Sequence, residues 1–549
     1  MQSKFNSRCP HCGGKVSKGD EIDKRNGKWG HAVCPDAATP RQSFVINTTE
    51  TYGDIPDIPD TPMVEDKLFT PSHYQQAVFD HVEANDGNAV VEAVAGSGKT
   101  TTIVKALRFT KSSEDVAFIA FNKHIADELK KRAPAHVHTS TLHSLGYSNM
   151  RQAFGKVRVD DRKLDGILDD VMPIDEHDFQ ESINRRAAMK RLVSLGKAVL
   201  VDETDTNAVY TMADRYGLEL NGDSDTVVDM LPRVLSRCRE RVNVIDFDDM
   251  IYLPVALNLG LKKFDRLFVD ETQDLNKSQI EFVLRSMRAG GNTTAVGDSR
   301  QSLYGFRGAD TEAMQNVIDA LNAKTLPLSI TYRCPLSHVR LAQTIVPHIE
   351  ARPDAPEGII GEVSEAQLVN AKDGDMILCR VNAPLVPVAF GLIRQGVKAT
   401  IRGRDIGSNL ASLARRLAKD TTLMPQFYAN LSEYENRELQ RLTGRKASET
   451  QIQSVVDKCE TISFVAAECS LPSEIAGRIE SIFSDDVAGV VLSSVHRAKG
   501  LESERVYVLK PELMPHPKAK QDWEKEQELN CQYVAWTRSR SELYMVTGK

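Results

Sequence analysis

The sequence predicts an α/β protein with two domains on parallel β-sheets, a helical insertion in each, and a small zinc-binding module at the N-terminus. Short apolar runs alternate with amphipathic stretches in two separate sets along the chain, which is typical of parallel strands joined by crossover helices. One of these runs leads into a glycine-rich turn and a helical stretch. Paired cysteine and histidine residues are concentrated near the N-terminus.

Size and composition set the broad class of the protein. A chain of 549 residues is longer than the roughly 250–300 residues that one hydrophobic core serves. With 41% hydrophobic and 26% charged residues and a mean hydropathy of −0.34, the composition is that of a folded globular protein. A net charge of −7 leaves room for a local basic groove. No apolar run resembles a membrane span or a signal peptide, so we expect a cytoplasmic protein without a membrane partner.

The N-terminal region changes composition sharply along its length. Residues 1–34 carry seven basic and three acidic side chains. Residues 35–69 contain five prolines among seven acidic and two basic residues. Repeated Pro-Asp without apolar periodicity predicts a flexible linker.

A metal-binding pattern lies within the basic module, where C-x2-C and H-x2-C pairs are separated by 18 residues. Two such pairs can place four ligands tetrahedrally around Zn²⁺. We predict a structural zinc site formed by Cys9, Cys12, His31 and Cys34, with His11 as a competing ligand. A redox C-x-x-C fits less well because no βαβ pattern surrounds it. The module is too small for a core and should fold only with metal; it could contact DNA or a protein partner.

Two sets of strand-like runs define the rest of the chain. The first contains NAVVEAVAG, VAFIAFN, RLFVDE and NTTAVGD, and the second contains DMILCRVN, VKATIRG, VVLSSVH and VYVLK. We expect a first domain over residues 70–325 and a second over residues 326–549. Polar, helix-favouring stretches at about 145–245 and about 406–485 predict one helical insertion in each domain.

The glycine-rich turn AVAGSGKTTT, at positions 93–102, follows the apolar run NAVVE and precedes a helical stretch. This is the context of a P-loop, in which small residues let backbone N–H groups surround phosphates at a helix N-terminus. Ala93 stands where the general motif has its first glycine. Lys99 would contact the β- and γ-phosphates of ATP, and the Thr100 hydroxyl would hold Mg²⁺. The predicted phosphate-binding residues are Ala95, Gly96, Ser97, Gly98, Lys99, Thr100 and Thr101.

A second strand supplies the carboxylates that a P-loop needs for hydrolysis. The sequence RLFVDETQD ends an apolar run at Asp270 and Glu271. One carboxylate must help to hold the metal, and another must activate water. We assign Asp270 to Mg²⁺ and Glu271 to the attacking water.

Nine short blocks occur in a fixed order along the chain: AVAGSGKT, AFNKHIADEL, TSTLHSLG, DFDDM, VDETQD, AVGDSRQSLYGFRGA, TYRCP, SVHRAKGLE and QYVAWTRSRSEL. In these blocks the chain resembles UvrD/Rep-type superfamily 1 DNA helicases over nearly all of residues 70–549. The resemblance implies two RecA-like P-loop domains that close on ATP and drive movement along single-stranded DNA.

The resemblance also implies roles for residues outside the P-loop. Gln301 matches the glutamine that senses the γ-phosphate, and Arg333 and Arg538 match the two arginines that reach it. An arginine of the second domain acts only when the cleft closes, which couples hydrolysis to domain movement. Without the resemblance, a lone arginine would be assigned to a surface ion pair.

Other matched positions surround the rest of the nucleotide. The resemblance implies that Tyr332 stacks near the adenine, that Gly500 lies near the phosphates and that Glu502 lies near the ribose. Gln75 is the preferred adenine-reading glutamine, although the spacing leaves Gln76 open.

The resemblance further implies a single-strand track with Tyr304, Phe306 and His496. Aromatic rings stack with unpaired bases, at roughly 1–3 kcal/mol per base. The alternative for both rings is a place in the core, which fits Phe306 poorly because Gly305, Arg307 and Gly308 flank it, and which stays open for Tyr304. Helix capping or surface roles fit the remaining candidates as well as DNA backbone contacts do. These candidates are Asn122, Lys123, Thr141 and His143.

We therefore expect an ATP-dependent single-stranded-DNA translocase and DNA helicase, moving 3′ to 5′ as the resemblance implies, in replication, repair or recombination. Its ligands would be ATP, Mg²⁺, Zn²⁺, single-stranded DNA and tailed or forked duplexes. The alternative is an ATP-driven remodeller of protein–DNA complexes, or a subunit of a defence or repair complex docked through the zinc module, without processive unwinding. A compact motor joined to a small finger would suit a bacterial or phage protein.

Overall fold

The fold is taken from a computed structural model of the chain. The chain divides into two compact units, Met1–Phe69 and Thr70–Lys549. Before residue 69 only the backbone of four short strands is described. The structure describes residues 69–549 apart from positions 176, 217, 219–223, 304–312, 420, 445–448, 484–488, 518, 520–521 and 549.

The first unit contains two antiparallel hairpins. Ser7 lies opposite Val16 in one, and Ile22 lies opposite His31 in the other. Three of the predicted zinc ligands, Cys9, Cys12 and Cys34, lie outside the described residues, and only the backbone of His31 is described. The zinc site therefore stays a prediction. The four strands are β1 (Ser7–Arg8), β2 (Lys15–Val16), β3 (Ile22–Arg25) and β4 (Lys28–His31).

The first half of the second unit alternates strands and helices. Its strands are β5 (Ala89–Ala93), β6 (Val116–Ala120), β7 (Val137–Thr141), β8 (Arg158–Val159), β9 (Val244–Ile245), β10 (Phe264–Val269), β11 (Met287–Gly297) and β12 (Lys324–Leu328). Its helices are α1 (His73–Ala84), α2 (Lys99–Ala106), α3 (Lys123–Arg132), α4 (Leu142–Phe154), α5 (Lys163–Val171), α6 (Phe179–Val199), α7 (Thr206–Arg215), α8 (Ser224–Glu240), α9 (Asp249–Ala256), α10 (Lys277–Ser286) and α11 (Ala313–Leu321).

Six of these strands form one parallel sheet in the order β12-β5-β11-β10-β6-β7. Strands β5, β10 and β6 are almost fully buried, and β11 is buried over its last five residues, as expected for a sheet covered by helices on both faces. The P-loop and Asp270 both follow carboxyl ends of strands, so the parallel arrangement brings them to the same edge. Strand β12 crosses the boundary expected at 325/326, because it pairs with β5 as far as Leu328.

Helices α5 to α8 form the insertion that follows α4, and a buried ion cluster attaches them to α9. The carboxylate of Asp249 lies 2.5 Å from the ammonium of Lys163 and 2.8 Å from that of Lys197. Lys197 also lies 2.8 Å from Asp246. The cluster therefore ties α5 and α6 to the start of α9, and loss of one partner would leave an uncompensated buried charge.

The second half repeats the alternation. Its strands are β13 (Ile330–Thr331), β14 (Glu350–Ala351), β15 (Ile359–Val363), β16 (Met376–Cys379), β17 (Ala399–Ile401), β18 (Val490–Ser494), β19 (Ser503–Leu509) and β20 (Ser539–Val546). Its helices are α12 (Leu336–Ala342), α13 (Leu385–Arg394), α14 (Arg404–Leu417), α15 (Met424–Gly444), α16 (Glu449–Ala466), α17 (Pro472–Ile482) and α18 (Asp522–Trp536).

A second parallel sheet has the order β15-β20-β19-β16-β18-β17. Helices α14 to α17 lie between β17 and β18 in the chain and pack in the same core as these strands. The predicted α/β class with two parallel sheets is confirmed. Across the part of the chain that the structure describes, no helix is both long and apolar enough to cross a lipid bilayer.

Candidate nucleotide and nucleic-acid site

The glycine-rich turn between β5 and α2 packs directly against the segment that leads into the second sheet. Gly96 and Gly98 are in the left-handed conformation, with φ of 74° and 78°. A Cβ at Gly96 would lie 2.6 Å from Arg333 Cβ and 2.7 Å from Thr331 Oγ1. Gly98 is the N-cap of α2, so the helix begins at Lys99. Only glycine allows this close approach in this conformation.

The other residues of the turn differ in burial. Ala95 is fully buried, and its N–H donates to the phenolic oxygen of Tyr533 over 2.8 Å. Ser97 is also buried, and its hydroxyl has no hydrogen-bond partner among the described residues. Thr100 and Thr101 are half-buried in the first turn of α2. An orphan hydroxyl beside a helix N-terminus is a site that suits an anion.

The carboxylates that follow β10 lie beside the ammonium of Lys99, whose Nζ is 3.4 Å from Glu271 Oε1. Burial lowers the pKa of Lys99, but the charges of Glu271, Asp298 and Asp270 outweigh it and raise that pKa. Burial raises the pKa of Glu271, but Lys99 and Lys499 outweigh it and lower that pKa. Burial and the charge of Glu271 raise the pKa of Asp270. Glu271 therefore carries the negative charge opposite Lys99.

Lys499 enters this cluster from the turn between β18 and β19 of the second sheet. Its ammonium pairs with Asp274 and lies 3.5 Å from Glu271 Oε2, to which Gln273 also donates. Sequence reasoning gave Lys499 no role, although it precedes Gly500 in the SVHRAKGLE block. Gly500 is exposed and left-handed, with φ of 85°. The structure thus adds a second lysine to the predicted carboxylates.

Gln301 faces a buried aspartate on the loop after β11. Its amide donates to Asp298 Oδ2 over 2.6 Å, and the Asp298 N–H donates to Gln273 Oε1 over 3.0 Å. Burial raises the pKa of Asp298 to about 6. The Ser299 hydroxyl donates to Glu92 Oε1 over 2.6 Å. The Gln301 loop is therefore tied to β5, the strand that leads into the P-loop.

The two glutamines of α1 have different surroundings. Gln75 is buried, and its amide donates to Thr102 Oγ1 over 3.1 Å. Its carbonyl accepts from the Tyr332 hydroxyl over 3.2 Å. Gln76 is exposed and donates to Asp80 over 2.7 Å. The structure thus places Gln75 beside the P-loop helix and Tyr332, and Gln76 on the surface.

Arg333 is paired with Glu502, which also pairs with Arg540. Arg333 Nη1 donates to the carbonyl of Thr537 over 3.3 Å. Burial raises the pKa of Glu502, but the charges of Arg333 and Arg540 outweigh it and lower that pKa. Glu502, expected near the ribose, lies between two arginines in this structure.

Arg538 is almost fully buried, with 1% of its surface exposed. Its guanidinium donates to the carbonyls of Val534 and Leu501 over 2.9 and 3.2 Å and to Thr537 Oγ1 over 3.2 Å. Burial lowers the pKa of Arg538 to about 10. These three bonds all end on residues of the second sheet and its helices.

Two of the predicted DNA-backbone contacts cap helices. The Asn122 side chain accepts from the Ile125 N–H over 2.9 Å at the start of α3, next to the exposed Lys123. Thr141 Oγ1 accepts from the Ser144 N–H over 3.2 Å at the start of α4. The capping alternative therefore describes both side chains.

His143 stacks on Phe247, with ring centroids 3.9 Å apart. Burial lowers the pKa of His143 to about 4, so the ring is neutral at pH 7. Phe247 has 57% of its surface exposed. It lies in the DFDDM block, and an aromatic between two acids could have suggested it as a site residue.

Of the three residues predicted to line the single-strand track, the structure describes only His496. Tyr304 and Phe306 lie outside the described residues. His496 is half-buried with Nε2 3.6 Å from the Cys531 sulfur. Burial, and then the charge of Arg380, lower the pKa of His496 to about 3. His496 is therefore a neutral ring at pH 7.

The cleft residues fit a nucleotide with its magnesium ion. Among the residues that the structure describes, no group of three or more His, Cys, Asp or Glu side chains is arranged to hold a metal. Mg²⁺ needs fewer, because substrate phosphates and water complete its octahedron around one or two protein ligands. Thr100, in the first turn of α2, and Asp270, whose charge acts on the neighbouring Lys99, are two candidate ligands of that kind.

Two family models match the chain. The UvrD/REP helicase N-terminal domain matches residues 74–322, and the UvrD-like helicase C-terminal domain matches residues 411–549. Together they cover well over half of the chain. The chain belongs to the UvrD/Rep helicase family. Of the nucleotide-site candidates in this UvrD-like chain, Tyr332 and Arg333 lie between the two matched segments.

Curated relatives match only part of this UvrD-like chain. The ATP-dependent DNA helicase PcrA of Staphylococcus epidermidis is 26% identical over 309 residues, covering 51% of this chain and 40% of that protein. The ATP-dependent DNA helicase Rep of Buchnera aphidicola is 25% identical over 275 residues, covering 46% and 41%. The match thus spans about two fifths of these relatives. The arterivirus nonstructural protein 10 helicase superimposes with a TM-score of 0.32, 11% identity and coverage of 86% and 62%.

Proposed function

We propose that this UvrD-like chain is an ATP-dependent single-stranded-DNA translocase and DNA helicase that moves 3′ to 5′ in replication, repair or recombination. The observation that carries the proposal is the cluster of Lys99, Glu271 and Lys499, because it joins the P-loop of the first sheet to a loop of the second. The relatives that are named ATP-dependent DNA helicases support it.

The first sheet would bind the nucleotide. Thr100 and Asp270 would hold Mg²⁺, which would neutralise charge on the β- and γ-phosphates. Lys99 would contact those phosphates, and Glu271, ionised under the influence of Lys99 and Lys499, would accept the proton of the attacking water. Gln301 would sense the γ-phosphate from a loop tied to β5.

The second sheet would supply the arginines. Arg333 and Arg538 would stabilise charge on the transferring phosphoryl group when the cleft closes. Arg333 would have to exchange its pairing with Glu502 for the phosphate, which would free that carboxylate to contact the ribose. Tyr332 and Gln75, already hydrogen-bonded to each other, would contact the adenine.

DNA would lie across both sheets. Tyr304, Phe306 and His496 would stack with bases, and Lys123 would contact the backbone. The exposed Phe247 that stacks on His143 adds a ring to this track. Such contacts are tolerant of sequence and depend strongly on salt.

The test is ATP hydrolysis with and without single-stranded DNA, beside unwinding of duplexes with a 3′ or a 5′ tail. We expect stimulated hydrolysis and unwinding from the 3′ tail only. Stimulated hydrolysis without unwinding would instead support a translocase that remodels protein–DNA complexes. Hydrolysis unaffected by DNA would contradict the DNA track.

We further propose that residues 1–34 bind one Zn²⁺ through Cys9, Cys12, His31 and Cys34. The support is the ligand spacing together with two backbone hairpins, since Cys9 and Cys12 lie between β1 and β2 in the chain and His31 ends β4. The module would dock the motor on DNA or on a protein partner.

A further inference from the structure

One face of α18 holds two separate loops of the first sheet. The phenolic oxygen of Tyr533 accepts from the Ala95 N–H over 2.8 Å, and the Asn530 amide donates to the Ser302 carbonyl over 3.1 Å. Positions three apart share one side of a helix. Tyr533 is 0% exposed and Asn530 is 4% exposed, so both bonds are shielded from water and are strong.

The two loops belong to different parts of the proposed site. Ala95 belongs to the phosphate-binding turn, one residue before Gly96. Ser302 follows Gln301 and precedes, by two residues, Tyr304 of the predicted DNA track. A rigid helix between them can pass a shift of one loop to the other, since packed elements move as units.

We propose that Tyr533 and Asn530 are positioning residues through which α18 couples the loop leading to the DNA track to the phosphate-binding turn and the γ-phosphate arginines. The proposal rests on the proposed function, because it assigns the coupling within that motor. Neither residue would touch ATP or DNA.

A chain of contacts extends from Tyr533 to an arginine. The Tyr533 carbonyl accepts from the Thr537 N–H over 3.1 Å and from its hydroxyl over 2.8 Å. The Thr537 carbonyl accepts from Arg333 Nη1 over 3.3 Å. The Tyr533 ring also packs in one buried cluster with Val94 and Cys334. The Ala95 bond therefore fixes the end of α18 that positions Arg333.

The Asn530 contact is a directional one. Its Nδ2 group donates to a backbone carbonyl, while its Oδ1 is buried without a hydrogen-bond partner among the described residues. A buried side-chain amide whose oxygen has no hydrogen-bond donor lowers the stability of the fold. Such a residue fixes position more than it stabilises the fold.

The first test is Tyr533→Phe, which keeps the ring and removes the acceptor of the Ala95 N–H. The matched control is Tyr507→Phe, a buried tyrosine of β19 that stacks on Tyr544. We expect kcat with DNA to fall about tenfold, with KM for ATP within about threefold because the other P-loop groups remain. Kinetics equal to those of the control would overturn the role of Tyr533.

The second test is Asn530→Ala, with the buried Asn149→Ala as control because Asn149 also makes one backbone bond, to the Lys262 N–H, away from the cleft. We expect the ratio of DNA-stimulated to DNA-free turnover to fall about fivefold, with a comparable change in melting temperature in both variants. A ratio equal to that of the control would overturn the coupling.

Hydrogen exchange separates this proposal from the proposed function. In Asn530→Ala, amide exchange should rise in the peptide that contains residues 93–99 as well as around Ser302, whether or not the protein is stimulated by DNA. A rise confined to Ser302 would overturn the coupling. If hydrolysis by the unmutated protein were not stimulated by DNA, but amide exchange in residues 93–99 still rose in Asn530→Ala, the proposed DNA-dependent function would be contradicted. The coupling through α18 would still stand.

Discussion

The ammonium of Lys99 lies 3.4 Å from one carboxylate oxygen of Glu271, and the ammonium of Lys499 lies 3.5 Å from the other. Lys99 begins the helix after β5 of the first sheet, and Lys499 lies between β18 and β19 of the second, so the charge of one carboxylate joins the two α/β halves. In the proposed site, Lys499 would keep Glu271 ionised when Lys99 contacts a phosphate. This pairing supports the water-activating role proposed for Glu271, because burial raises the pKa of Asp270.

Lys99→Ala should abolish DNA-stimulated ATP hydrolysis, with turnover at least about a hundredfold lower, because the phosphates lose their P-loop cation. The exposed Lys111→Ala is the control. Steady-state hydrolysis and circular dichroism would be measured together. Near-normal turnover by the folded Lys99 variant would contradict the site.

Glu271→Gln should retain ATP binding but lose about a hundredfold or more in kcat, because a neutral amide cannot accept the proton of water. Nucleotide affinity would be measured with a fluorescent ATP analogue, beside single-turnover hydrolysis. A loss of affinity with unchanged kcat would assign Glu271 to binding instead.

Arg333→Ala should lower kcat about a thousandfold with a smaller effect on KM, because the arginine acts on charge that develops during transfer. The control is Arg340→Ala, since Arg340 is an exposed arginine of α12 paired with Glu357. Equal effects of the two variants on hydrolysis would reduce Arg333 to a structural ion pair with Glu502.

The chain as isolated should contain one zinc per molecule by elemental analysis, and Cys9→Ser should lower this content. Because soft thiolates dominate the affinity of such a site, a chelator should release the metal and unfold residues 1–34 without changing hydrolysis by the motor. Cys238→Ser is the control, as Cys238 is buried in the helical insertion. Zinc content unchanged in Cys9→Ser would exclude this ligand.

His338 should make the fold sensitive to acid. Burial lowers the pKa of His338 to about 4 in the folded protein, whereas the pKa of an unfolded histidine is about 6.5. Between pH 6.5 and pH 4, this histidine is therefore protonated in the unfolded chain and neutral in the folded one. Stability that is complete above pH 6.5 should therefore fall with decreasing pH, by about 1.4 kcal/mol per pH unit from this group.

Denaturant unfolding at several pH values would measure that slope. His338→Gln should reduce the slope, whereas the exposed His348→Gln should leave it as in the starting protein. An unchanged slope in His338→Gln would mean that other groups cause the acid sensitivity.

The sequence predicted the central strands of the first sheet and overlooked both of its edges. Strands β5, β10 and β6 are almost fully buried and β11 is buried over its last five residues, whereas β7 and β12 mix buried positions with half-buried or exposed ones. An edge strand is covered on fewer sides and needs less apolar sequence. The same reason applies to β15, an edge strand of the second sheet whose positions are all exposed or half-buried.

Much of the candidate site was readable from sequence because its chemistry is local. The turn around Gly96 with the helix after it, and the strand that ends before Asp270, are each one continuous segment. Their residue types indicate a phosphate-binding site with nearby carboxylates. Local capping by Asn122 and Thr141 was likewise foreseen as an alternative, since short side chains before a helix accept from its free N–H groups.

Tertiary structure alone decided how the parts meet. Ala95 and Tyr533 are 438 positions apart, and no local pattern indicates that a phenol should accept from that N–H. Two other contacts also join residues that are far apart in the sequence. Lys499 lies beside Glu271, and Glu502 pairs with both Arg333 and Arg540. The physical reason is that residue type and spacing determine local geometry, whereas the partner of a buried polar group is set by which distant elements pack against it.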